Sequence, residues 1–280
     1  MEGQATRRLP PELVEHARAF LAGGRSPVTP KGASTVVLLR DAPAGPEAYL
    51  LRRHRGMAFA AGMYAFPGGT VDRRDSDTAV AWAGPSPADW AHTLTCSEGE
   101  ARALVCAAVR ETFEESGVLL AGPSAESLVS DTTGDDWERD RAALVDRSLA
   151  FADLLAQRGL VLRSDLLHAW AHWITPEFEP RRYDTRFFLA VMPVGQRTRD
   201  VSGEADHVLW MRPSDACAGV DAGSMSMLPP TYVTMAEVAS YATVNEALAA
   251  ATHRTITTLT PGVEIIDGEG FLVVDESAEW

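Results

Sequence analysis

An α/β fold within one domain is what this sequence predicts, and three observations carry the prediction. Short runs rich in β-branched and aromatic residues recur along the chain, of a length that suits strands better than core helices. Between them lie segments with helical apolar spacing that stop at glycine, the residue that most easily closes a helix in the left-handed conformation. The composition, 46% hydrophobic and 23% charged over 280 residues, is that of a globular chain with a real core. No internal repeat or low-complexity tract is present, and one domain over residues 1–280 accommodates the pattern better than two.

The elements follow in order. Pro10 and Pro11 open an extra N-terminal helix that runs through Phe20 and is closed by Gly23 and Gly24. Ala33–Leu39 reads as a buried strand, and after a loop containing Gly45 a second strand runs from Ala48 to about Arg53. Residues 55–66 hold glycines and aromatics without periodicity and lead into Phe66-Pro67-Gly68-Gly69. Residues 73–98 are polar, with Trp82, Pro85, Pro87 and Trp90, and read as an inserted surface segment. A strong helix covers about Glu100 to Ser116 and stops at Gly117, and another long one runs from Asp136 to about Gln157 before Gly159. The runs His168–Ile174, Arg182–Val191 and His207–Met211 complete a sheet. The remainder, 225–280, is a helical extension ending in a hairpin around Asp267-Gly268.

A net charge of −14 argues against nucleic acid or an anionic membrane as the main partner. It still admits a small anionic substrate if a metal and a few arginines offset the charge locally. Cys96, Cys106 and Cys217 are widely spaced, with no C-x-x-C pair, so neither a zinc knuckle nor a disulfide framework is indicated. The first twenty residues lack the apolar run of a signal peptide, no stretch approaches a membrane span, and the cytoplasm is the expected compartment. His168 and His172 lie beside tryptophans without a third ligand at zinc spacing, which favours packing.

The informative stretch is Leu104 to Val118. At about 100° per residue, Leu104, Ala107, Ala108, Glu111, Glu114, Glu115 and Val118 share one stripe of the helix. That stripe starts apolar, becomes three carboxylates for a turn and ends apolar. A Glu-rich helix is usually a solvated face, but these acids interrupt a packing stripe. Like charges about 5–6 Å apart repel by roughly 3 kcal/mol per pair at an effective dielectric near 20. Arg110 can neutralise one acid, and a divalent cation would satisfy the others. Oxygen-only ligation suits Mg²⁺ or Mn²⁺, which keep water ligands and take substrate phosphate oxygens as well.

These residues resemble the signature of the Nudix hydrolase superfamily, G-x5-E-x7-R-E-U-x-E-E-x-G-U, where U is bulky and aliphatic. Its second half stands here as Arg110-Glu111-Thr112-Phe113-Glu114-Glu115-Ser116-Gly117-Val118, with Thr112 at the first U position the one departure. The first half resembles Gly69 with Asp75 six residues on, Asp replacing Glu, and 34 residues separate Asp75 from Arg110 where the signature has seven. The resemblance implies an α/β/α sandwich with a mixed central sheet and an insertion within the box. It implies that Glu111, Glu114 and Glu115 bind Mg²⁺ or Mn²⁺, that Arg110 orients one of them, and that Gly69 lends a backbone carbonyl. Glu204, in a later loop, is a candidate for the extra metal-binding carboxylate that several members carry.

An interrupted box resembles the branch of the peroxisomal coenzyme A diphosphatases. So do Phe66-Pro-Gly-Gly69, Trp173-Ile-Thr-Pro176 and Arg182-Tyr-Asp-Thr-Arg-Phe-Phe188. That branch cleaves coenzyme A or acyl-coenzyme A to 3′,5′-ADP and (acyl-)phosphopantetheine. A related coenzyme A motif is half present: Gly62 is in register before Phe66, but Ala58 stands where it has arginine, leaving Arg53 or Arg55 to substitute. NADH, ADP-ribose and nucleotide sugars stay open as substrates, as does a non-catalytic nucleotide-sensing role. Substrate contacts are expected from Arg53, Arg55, Phe66, Gly68, Arg182 and Asp184, arginine being suited to phosphate by its fixed fork of donors. The expected partner is a small nucleoside diphosphate derivative, with no nucleic acid or membrane and a homodimer left open. Trp82 and Trp90 either anchor the insertion or line a pocket for the non-nucleotide half of the substrate.

Overall fold

The run Val36 to Leu39 is almost wholly buried because it lies at the centre of an eight-stranded mixed sheet. This computed structural model describes residues 7–9, 11–23, 26–54, 56, 60–199 and 205–273. In spatial order the six main strands are Ala205–Met211, Gly45–Arg53, Lys31–Ala42, Tyr183–Val191, His168–Ile174 and Thr258–Leu259. Tyr183–Val191 runs parallel to Lys31–Ala42, and Thr258–Leu259 parallel to His168–Ile174, while the other neighbours are antiparallel. Two short strands, Tyr64–Ala65 and Gly68–Thr70, pair with Gly45–Arg53 and Lys31–Ala42 respectively.

Both faces of the sheet are covered, so its central strand carries apolar residues on both sides of the pleat. Val36 and Leu38 pack into a core with the helices Glu98–Ser116 and Phe151–Arg158. Val37 and Leu39 point the other way, toward the helices Pro213–Asp221, Pro229–Val238 and Val244–His253. The result is an α/β/α sandwich. The N-terminal helix Pro11–Leu21 forms a smaller core with the hairpin Gly262–Ile266 and Glu269–Val273, through Leu9, Val14, Ala17, Phe178 and Leu272. Asp267 and Gly268 take successive positive φ values of 51° and 86°, which suits a two-residue hairpin turn.

Two expectations are corrected. The long helix expected from Asp136 to Gln157 is two helices, Asp135–Val145 and Phe151–Arg158. Between them Arg147 turns into the left-handed region at φ 64°, and the Ser148 amide donates to Asp146 Oδ1 at 2.8 Å. The short polar side chain of Asp146 thus gives the backbone a local alternative to helix. The insertion, in turn, is more than a surface excursion. It forms a 3-10 turn at Arg73–Ser76, a short strand at Trp82–Ala83 and a helix at Pro87–Leu94, with Val80, Trp90 and Leu94 buried in the first core. Trp90 meets Phe188 edge-on at 5.7 Å, which is where an apolar ring in a polar segment finds its partner. Among the described residues no helix is long and apolar enough to cross a membrane.

Candidate active site

The helix Glu98–Ser116 is fixed at both ends by its sequence. Ser97 and Glu100 form a reciprocal capping box, and Gly117 closes the last turn at φ 75°. After an exposed first turn the helix is buried against the sheet from Ala101, and Arg110, Glu111, Glu114 and Glu115 follow where it faces the strand Gly68–Thr70. Arg110 Nη1 donates to Glu111 Oε1 at 2.8 Å and to Glu114 Oε1 at 3.0 Å. Its Nε and Nη2 clamp the two oxygens of Asp75 at 3.0 and 2.9 Å, and Nη2 also reaches the Thr70 carbonyl at 3.0 Å. Glu115 Oε2 accepts from the Gly68 amide at 2.8 Å.

Asp75 thus belongs to the site, a placement the sequence alone left without a role. It is 2% exposed, and its Oδ2 also accepts from the Asp72 amide at 2.8 Å in the reciprocal cap of the 3-10 turn. The signal available in the sequence was its six-residue step from Gly69. Arg141 is a second residue the sequence did not single out: its Nη1 donates to the Glu114 carbonyl at 2.8 Å, bracing the acidic turn.

The cluster holds more negative charge than one guanidinium balances. Burial opposes the charge on Arg110, but Asp75, Glu111 and Glu114 outweigh it and hold the group charged well above its ordinary range. Burial pushes the Glu111 carboxyl up to about 7, with Arg110 drawing it down and Glu114 driving it up further. Glycine is required opposite these acids: a Cβ on Gly69 would fall 2.5 Å from Glu111 Oε1, and one on Gly68 would fall 2.5 Å from the Ser34 carbonyl.

Among the described residues no three carboxylate, imidazole or thiol groups converge into a ready-made cage. Arg110 Nη1 bridges Glu111 and Glu114, and Glu115 is engaged by Gly68. Mg²⁺ does not require such a cage, because one or two carboxylates with water and substrate phosphates complete its shell. The surplus of carboxylate oxygens around Glu111, Glu114 and Glu115 therefore fits a hard divalent cation.

These acids open on a cleft of about 920 Å³, with Met63, Phe66, Trp173, Met225 and Met227 also among its lining residues. Of the expected residues, Arg53, Phe66, Gly68 and Gly69 line the cleft together with Arg110, Glu111, Glu114 and Glu115. The Phe66–Thr70 segment is held by pairing onto the sheet, with the Val36 amide donating to the Pro67 carbonyl at 2.9 Å. Arg55 and Glu204 lie outside the described residues. Arg182 and Asp184, expected to contact substrate, lie off the cleft. Arg182 spends its Nε and Nη1 on the carbonyls of Thr175 and Val28, both at 2.9 Å. Asp184 bonds to His172 Nε2 at 2.7 Å and to Arg186 Nη1, and Thr258 Oγ1 meets His172 Nδ1 at 2.7 Å. Both belong to the framework of the sheet. Neither tryptophan of the insertion lines the cleft: Trp90 is in the core and Trp82 Nε1 donates to the Pro85 carbonyl at 2.7 Å.

A family model for the NUDT19 Nudix domain matches residues 91–238. The acyl-coenzyme A diphosphatase NUDT19 of Homo sapiens is 28% identical over 250 residues, covering 74% of this chain and 64% of that one. Its counterpart in Xenopus laevis is 24% identical over 234 residues, covering 71% of this chain and 61% of that one. The chain thus spans less than two thirds of the length of these relatives. Among solved structures, a NUDIX hydrolase from Alicyclobacillus acidocaldarius superposes with a TM-score of 0.68 at 28% identity, covering 79% of this chain and 96% of that one.

Proposed function

The chain belongs to the Nudix hydrolases of the NUDT19 type, and from that membership we propose that it is a metal-dependent diphosphatase acting on coenzyme A or acyl-coenzyme A. Water adds to one phosphorus, the bridging P–O bond breaks, and 3′,5′-ADP and (acyl-)phosphopantetheine leave. The observation that carries this reading is a single cleft lined both by the carboxylates around Arg110 and by large apolar side chains. A diphosphate flanked by a nucleotide and a long, weakly polar arm matches that mixed lining. The names of the NUDT19 relatives support the same substrate class.

Each residue then has a task. Glu111, Glu114 and Glu115 would hold Mg²⁺ or Mn²⁺, with Gly69 and Glu204 as further candidate donors, and the ion would supply charge neutralisation to the diphosphate. Asp75 fixes the fork of Arg110, which aims the carboxylates of Glu111 and Glu114. The Gly68 amide does the same for Glu115. A carboxylate oxygen of the cluster not spent on the cation accepts the proton of the attacking water. Arg53 contributes positive charge at the cleft and Phe66 an apolar surface. Arg182 acts by positioning the sheet, and Asp184 ties two of its strands through His172 and Arg186.

The test is to incubate the protein and Mg²⁺ or Mn²⁺ with coenzyme A, an acyl-coenzyme A, NADH and ADP-ribose and to resolve the products. The expected result is 3′,5′-ADP from the first two at the highest kcat/KM. Cleavage confined to NADH or ADP-ribose would overturn the substrate assignment, and cleavage of none would overturn the enzymatic one.

A further inference from the structure

A second cavity, of about 710 Å³, adjoins the catalytic cleft, and Thr70, Asp72 and Arg147 line both. Its charges separate into two groups. The acids are committed to the fold: Asp72 is paired with Arg74 at 3.0 Å, and the Arg74 hydrogen bond holds its carboxyl below the usual carboxylate range. Glu100 accepts from the Ser97 amide at 3.0 Å in the cap of the long helix. Asp184 is taken by His172 and Arg186. Three cations on the same lining are uncommitted. The side chains of Lys31, Arg73 and Arg147 are exposed and have no hydrogen-bond or ion-pair partner among the described residues.

The backbone holds these three positions. The Lys31 amide donates to the Arg182 carbonyl at 2.9 Å, and the Val71 amide, two residues before Arg73, donates to the Gly32 carbonyl at 2.9 Å. Arg74 Nη1 donates to the Arg147 carbonyl at 3.1 Å. Arg147 is the residue that breaks the expected helix, held at φ 64° where a side-chain-bearing residue is strained. Such strain persists where surrounding contacts over-determine it, and it recurs at ligand sites. Here it sets a free guanidinium where the two cavities meet.

We propose that this cavity is a phosphate subsite in which Lys31, Arg73 and Arg147 grip the 3′-phosphate of the nucleotide half of the substrate. A phosphate monoester offers a near-dianion with three acceptor oxygens, and a cluster of unpaired cations beside the diphosphate site is its natural complement. In the nucleotide half, that phosphate is what separates a coenzyme A derivative from NADH or ADP-ribose. The subsite thus makes the enzyme select its substrate by charge at the nucleotide end, leaving the apolar lining residues of the main cleft to the other arm. The assignment rests on the coenzyme A reading above for its substrate, but not for its chemistry.

Two measurements test it. The first compares kcat/KM for coenzyme A and 3′-dephospho-coenzyme A in the wild type and in Lys31→Ala, Arg73→Ala and Arg147→Gly. The glycine variant relieves the positive φ, so it is expected to fold. The wild type should favour coenzyme A by at least about tenfold, and the ratio should fall toward one as the cations are removed. A ratio unmoved in all three variants overturns the subsite. The second measurement needs no turnover: calorimetric binding of adenosine 3′,5′-bisphosphate against AMP. Tighter binding of the bisphosphate, lost in Arg147→Gly and Arg73→Ala, upholds the subsite even if coenzyme A proves not to be the substrate. Equal binding of the two nucleotides by the wild type overturns it.

Discussion

Arg110 and Arg186 are both buried, and each sits in a knot with carboxylate, yet the two knots differ in their balance. Arg110 meets three acids, Asp75, Glu111 and Glu114, and the cleft lies open beside them. Arg186 meets one, Asp184, which also bonds to His172. The second knot is close to neutral and ties one strand to its neighbour, since Asp184 and Arg186 lie on Tyr183–Val191 and His172 on His168–Ile174. The first carries a surplus that its own cation cannot offset. Acidity alone therefore does not mark the chemical site. Several acids gathered on one arginine at the edge of a cleft do.

Removing each arginine should separate the knots most sharply. Arg110→Met leaves Asp75 buried without its partner, and a broken buried pair costs about 3–5 kcal/mol. Arg186→Met leaves Asp184 with His172 and partly open to water, so its loss should be clearly smaller. Chemical denaturation of both variants without added metal reads the difference, and equal losses would erase the contrast. Next in size is the effect on turnover. Glu114→Gln and Glu115→Gln should each lower kcat at limiting metal by at least about a hundredfold, or about 2.7 kcal/mol of barrier. Asp184→Asn should stay within a few-fold of wild type. Wild-type turnover in both glutamine variants would remove the acids from the chemistry.

The smallest effect is one of sign. In the folded, metal-free protein the Glu111 carboxyl lies near 7, above its ordinary 4.5, because burial and Glu114 favour the protonated form. A raised carboxyl contributes stability that is full below about 4.5 and lost as pH rises through about 7. Asp184 is shifted the other way, since His172 and Arg186 outweigh its burial, so its contribution is present at neutral pH and lost as acid is added. Unfolding free energy in chelator should thus fall between about pH 5 and 8, by on the order of 1–3 kcal/mol, with a matching drop in melting temperature, and Glu111→Gln should flatten that fall. Asp184→Asn should leave it intact and soften only the acid limb. A fall that persists unchanged in Glu111→Gln would assign it to some other group.

How far each knot was legible in the sequence follows from the reach of its contacts. Glu111, Glu114 and Glu115 declared themselves because helical spacing is a local rule, readable over a single turn. The Asp75–Arg110 clamp spans 35 positions, and only the six-residue step from Gly69 hinted at it. Five of the six main strands were visible as apolar runs, and the burial of Val36 to Leu39 accords with a central strand, but the order of the neighbours came only with the fold. What stayed hidden were features that depend on tertiary company. The break at Arg147 turns on the short Asp146 side chain within an otherwise helical pattern, and the choice between an anchoring and a pocket role for Trp90 waited on Phe188, which meets it in the core. Arg182 and Asp184 drew notice as charged residues in a motif, but their partners, the Thr175 and Val28 carbonyls and His172, are supplied by the fold.

The central claim is that the surplus charge around Arg110 is a site for a hard divalent cation, and titration calorimetry with Mn²⁺ tests it most directly. Wild-type protein should bind Mn²⁺ at this site, with affinity weakened at least about tenfold in Glu114→Gln and in Glu115→Gln. Asp184→Asn, in the balanced knot, should bind as the wild type does. Equal affinity across all four proteins, or none in the wild type, would contradict the account.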